Sequence, residues 1–187
     1  MASGPKAIAP PETEPPGENA GATPAFASPP CLACELDPDY FDRPPPLPER
    51  ELIAFLNRLI EAERAGAKTL AAFRRSAALA AVAADLAAVG RDEARYVAML
   101  SRAVRDLGGM PSAATGDFFA KATAIADAGE RLRFLNRGQG WVVRKLTEIL
   151  PRIRDASLRS ALAEMHRTHV ENIQRCDALI EKIAPGA

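Results

Sequence analysis

Glu63, Glu93, Gln139, His166 and His169 lie near the middles of four segments whose apolar residues recur at helical spacing, and four of the five fall at the centre of an apolar stripe. His166 and His169, the only two histidines, rise from neighbouring faces of one helix, one turn apart. Carboxylates and imidazoles beside the open space at Gly66 are what a transition-metal ion asks of a protein. The same side chains have a second use. A carboxylate in an apolar stripe is costly unless paired or protonated, so Glu63 and Glu93 could pair with Arg64, Arg91 or Arg95, or share a proton in a hydrogen-bond network with Gln139 and His169.

Four helices must position these groups. The first, about 49–73, carries Leu52, Phe55, Leu56, Leu59, Gly66, Leu70 and Phe73 on one stripe with Glu63 in its middle and Glu61 on the opposite side. The second, about 78–107, places Glu93 at the centre of Leu79, Val82, Leu86, Val89, Val97, Leu100, Val104 and Leu107, with Tyr96 at the edge; Gly108-Gly109 and Pro111 stop it. A short helix within 116–126 bridges to the third, about 128–150, which opens on the capping residues Asp127 and Glu130 and centres Gln139. The fourth starts near Asp155 or Ser157 and runs to about Ile183, with His169 central and His166 and Asn172 flanking. Arg95-Tyr96-Val97 echoes Thr168-His169-Val170, a weak duplication that predicts two helical hairpins joined by a crossover.

Alanine and leucine dominate while aromatic residues make up 5% of the 187 residues, which favours helices over strands. Thirteen of the sixteen prolines precede residue 49, in a stretch that also has a net charge of −5. Residues 1–48 therefore read as a disordered acidic tail and 49–187 as one helical domain. Cys31 and Cys34 in the tail, spaced as CxxC, could form half of a zinc site or a redox pair. The equal numbers of basic and acidic residues, 24 of each, argue against nucleic acid as the main partner. The longest apolar tract, Ala77 to Val89, is interrupted by Asp85 and too short for a membrane span. The three cysteines and the lack of a secretory signal point to the cytoplasm.

Four helices with inward polar groups at mid-length resemble the ferritin-like superfamily, which includes rubrerythrins and carboxylate-bridged di-iron oxidases, over about 51–184. The stretches LIEAERAGA, GRDEARYVAML and FLNRGQGWVVRKL also resemble an uncharacterised bacterial family of ferritin-like proteins. The resemblance implies an antiparallel four-helix bundle in which two helices each supply a Glu and the other two each supply a Glu-x-x-His pair to two metals. Glu63, Glu93 and His169 match that pattern. Tyr96 stands where the first His belongs, Gln139 or Asn136 replaces a Glu, and His166 replaces the second Glu.

About two negative charges are thereby missing relative to the family's set. The implied site is one iron or manganese ion per chain, held by Glu63, Glu93 and His169 with His166 as an optional ligand and with Tyr96 and Gln139 orienting the ligands. The resemblance implies a non-haem iron oxidoreductase or a metal-handling protein. The alternative is a metal-free helical interaction module. Phe134 and Trp141 form a second apolar line on the third helix, a possible contact for a second copy or another protein unless the crossover's Phe118 and Phe119 cover it.

Overall fold

The computed structural model describes residues 44–183 and is all-helical, with no strand among them. The helices are α1 (Glu49–Phe73), α2 (Ala83–Asp106), the short crossover α3 (Phe118–Ala124), α4 (Ala128–Ile149) and α5 (Ala156–Ile183). Cys31, Cys34 and most of the acidic tail lie outside the described residues. No described helix is long and apolar enough to cross a membrane.

The end signals act as their chemistry requires. Asp127 accepts from the Glu130 backbone N–H at 2.8 Å to open α4, and Asp155 accepts from the Leu158 N–H at 2.6 Å to open α5. Glu130 does not complete a capping box, because its carboxylate goes to Arg133 instead. Gly108, at φ 71°, takes the left-handed conformation that closes α2.

Two boundaries differ from the sequence-based expectation. The start of the second helix is a separate 3-10 turn, Ala77–Val82, ahead of α2. At three residues per turn Leu79 and Val82 point the same way, and both are fully buried. Residues 44–48, assigned by composition to the tail, pack on the domain: the Leu47 N–H donates to the Arg152 carbonyl, and Arg152 and Arg154 donate to the Pro45 and Pro44 carbonyls.

Consecutive long helices are each other's main partners, α1 with α2 and α4 with α5, while α3 lies on α1 and α4. The loop after α2 is strapped to the outer face of α1. Asn57 pairs with Met110 and Ser112, the Ser112 hydroxyl donates to Glu61, and Arg64 donates to the Ser112 and Ala114 carbonyls. Arg64 is thus committed to the loop and Arg95 to Glu164 and Asp92, so neither neutralises Glu63 or Glu93.

The apolar interior is divided. One cluster gathers Leu56, Ile60, Tyr96, Leu100, Val142, Leu146 and Met165; the other gathers Leu70, Phe73, Val89, Leu132, Leu135 and Cys176. The residues between them along each helix are Glu63 and Gly66 on α1, Glu93 on α2, Gln139 on α4, and His169 and Asn172 on α5. Every one is buried. A polar layer therefore crosses the middle of a largely apolar core.

Candidate functional site

Within that layer one ligand atom from each of Glu63, Glu93 and His169 lies within 4.8 Å of the others. Their exposures are 0%, 2% and 1%, so none is a surface charge. His169 Nδ1 lies 2.9 Å from the Met165 carbonyl, which can only accept; Nδ1 therefore carries a hydrogen and Nε2 faces the cluster. Nε2 is 3.1 Å from Glu63 Oε1, a pairing that requires a proton between them. Glu63 also hydrogen-bonds Glu93, and Gln139 Nε2 donates to Glu93 Oε1.

Burial pushes the Glu63 carboxyl up to about 8, against a smaller opposing effect of its hydrogen bond to Glu93. Glu93 is raised well above the ordinary carboxylate range, first by burial and then by the like charge of Glu63, with His169 opposing. Among the described residues no arginine or lysine offsets the pair. The charge-neutral states of this cluster are therefore a protonated one and a cation-filled one.

Gly66 makes the layer possible. A Cβ there would sit 2.6 Å from Glu93 Oε2 and 2.9 Å from its carboxyl carbon. In an ordinary helix interior Gly→Ala stabilises by about 1 kcal/mol, but overpacking a filled interior costs roughly 1–3 kcal/mol. Glu93 is enclosed and tied to both Glu63 and Gln139, so overpacking wins. Gly66→Ala is expected to lower stability in urea unfolding by roughly 1 kcal/mol; a stabilised variant would show that the Glu93 carboxyl moves aside freely.

The five polar residues that the sequence singles out do not all converge. His166 departs from its assignment as an optional ligand: it is half-buried, with Nε2 3.0 Å from the Thr147 hydroxyl between α5 and α4, outside the cluster. Tyr96 is buried rather than at the stripe's edge, and its ring packs 5.7 Å from that of His169. Its hydroxyl, however, donates to Thr168 at 2.7 Å, so Tyr96 holds the imidazole by contact and bonds to no cluster member. Asn136 is excluded from the third-helix position, since its amide donates to Ile173 O and Asp177. That leaves Gln139. Phe118 stacks on Phe134 at 4.8 Å, and a Cβ at Gly138 would meet the Phe118 ring at 2.8 Å, so the crossover covers part of the apolar line that Phe134 and Trp141 share.

One participant is not among the residues that the sequence places in the site, and one buried neighbour was placed only at its flank. The Met165 carbonyl sets the His169 tautomer, and no side-chain pattern announces a backbone acceptor. Asn172 is buried at 2% exposure, not flanking, and its amide lies 3.4 Å from Asp92. Its spacing of three from His169 and four from Cys176 was the available signal, because it extends the buried row Leu162, Met165, His169, Asn172, Cys176 and Leu179.

The cluster and helices thus define an all-helical domain with a buried carboxylate–imidazole centre. The chain matches a domain family of unknown function (DUF6306) over residues 50–178 and belongs to that family. No curated protein and no solved structure matches it.

Proposed function

We propose that the domain is a ferritin-like four-helix bundle that holds one divalent transition-metal ion, iron or manganese, through Glu63, Glu93 and His169, and serves as an oxidoreductase or metal-handling protein of a reducing, cytoplasmic compartment. One observation carries the reading: two carboxyls and an imidazole converge in the core with no arginine or lysine among the described residues to neutralise them. Two carboxylates and a neutral imidazole balance one divalent charge, whereas the two-metal pattern needs more anionic ligands than are present. Glu63 Oε2 and Gln139 Oε1 are buried oxygens without a hydrogen-bond partner among the described residues, so acceptor capacity is left over for a cation.

The chain's own residues would each have a defined part. Met165 O holds the His169 tautomer with Nε2 inward, Gln139 orients the Glu93 carboxylate, and Tyr96 packs the imidazole in place. Glu63 and Glu93 would give up their protons to act as anionic ligands. Bound iron or manganese would supply one-electron redox chemistry or a Lewis acid at the inner end of the adjoining cavity.

The metal-free network is the second reading. It is favoured by the hydrogen bonds that Glu63, Glu93, Gln139 and His169 already make with one another. The interaction-module role attached to it rests on the Phe134 and Trp141 line, part of which Phe118 covers. Elemental analysis and titration after anaerobic ferrous or manganous loading separate the two. The expected result is a single tight equivalent per chain. Two equivalents would revive a dinuclear site, and none would favour the network.

A further inference from the structure

A cavity of about 470 Å³ reaches the cluster from outside, and Glu63, Glu93, Gln139 and His169 line its inner end. That size lies within the range of about 300–1,000 Å³ usual for small-molecule sites. Its walls are apolar, built from Ala62, Phe118, Phe134, Leu135, Trp141 and Val142. A bare ion or dioxygen needs no chamber of that volume.

The charges at the rim are unequal in their engagement. Glu61 accepts from the Ser112 hydroxyl, and Asp117 is paired with Lys121 at 2.6 Å. Arg137 is exposed and also lines the cavity; its guanidinium lies 5.3 Å from the centre of the Phe134 ring. Among the described residues it has no carboxylate partner. An apolar chamber whose mouth carries a guanidinium that no carboxylate among the described residues pairs with selects a molecule with an apolar body and one anionic head.

We propose that this cavity binds a small monocarboxylate, its carboxylate at Arg137 and its apolar body directed inward toward Glu63, Glu93 and His169. The proposal names the substrate class of the same site and rests on the metal reading only for the chemistry after binding. Occupancy itself depends on Arg137 and the walls.

Decanoate is a suitable probe, with 1-decanol and decyltrimethylammonium as neutral and cationic counterparts of equal body. Equilibrium dialysis of the full chain measures binding, and Trp141, the sole tryptophan, reports by its emission whether the cavity is filled. The expected result is saturable decanoate binding with a shift in Trp141 emission. Arg137→Gln weakens it about tenfold, the size of one charge-assisted hydrogen bond, and leaves 1-decanol unaffected. Ala62→Phe, which fills the chamber, abolishes both responses; Arg137→Gln, at an exposed position, keeps the test intact if Ala62→Phe fails to fold.

Indifference of decanoate to Arg137→Gln, or equal binding of the cationic amphiphile, overturns the proposal. Running the titration with chelated and with manganese-loaded protein separates it from the metal reading. Decanoate binding without metal retention refutes the metal and keeps the ligand, and metal retention without decanoate binding does the reverse.

Discussion

Replacing Glu63 by Gln is expected to abolish tight metal retention while leaving the fold at least as stable as the parent in chelator at pH 8. Glutamine keeps the volume of the side chain and can donate to His169 Nε2, so the packing of the polar layer survives. What it removes is an anionic ligand, and with it at least about 100-fold in affinity, since even outer-shell partners are worth 10–100-fold. It also removes a carboxyl whose ionisation inside the core is costly, as its rise to about 8 shows. Glu61→Gln, two residues away, touches the Ser112 strap rather than the cluster and should retain metal as the parent does. Elemental content and urea unfolding of the two variants check this. Equal metal loss in both would remove the argument from helical phase, and a collapsed Glu63→Gln would make the residue a packing element instead of a ligand.

The second large effect concerns pH. In metal-free protein the folded state holds a proton on Glu63 up to about pH 8, whereas the ordinary value is 4.5. Glu93 is raised in the same direction. A carboxyl raised on folding stabilises the native state fully below the unfolded value, and that contribution is lost as pH climbs through the folded one.

Chelated protein should therefore melt progressively lower from pH 5 to pH 8, by about 3 °C per pH unit for each proton that only the folded state retains. Metal reverses the trend. Its binding expels those protons, so its affinity rises with pH, and the stabilisation it confers by mass action is largest near pH 8. Thermal melts across this range, with chelator and with manganese, decide the matter. A slope in chelator with no response to metal would favour the hydrogen-bond network, and no slope at all would mean that the two carboxyls are ionised throughout.

The sequence by itself determined the helices and the height of the polar layer. Leu, Phe and Val recurring every three or four residues leave only one face able to leave water, and the one interruption of each stripe had to meet the others once the helices packed. Proline and glycine marked the ends because they cannot continue a helix without losing a donor or backbone entropy. Glu63, Glu93, Gln139 and His169 were legible for these reasons.

Only the tertiary structure decided what phase within a stripe cannot express. His166 and His169 differ by one turn in sequence, yet one meets Thr147 and the other Glu63, because α5 is rotated so that its row through Met165, His169 and Asn172 faces inward. Tyr96 on α2 is buried as well, and its hydroxyl donates to Thr168 on α5. The tautomer of His169 depends on a backbone carbonyl, and the reach of Glu93 depends on the missing Cβ of Gly66 on another helix. Phe118 of the crossover stacks on Phe134 and both line the cavity, an arrangement that depends on how the segments pack. Periodicity sets which residues are buried; partners, protons and open space depend on distances between helices, and those arise only when the chain packs.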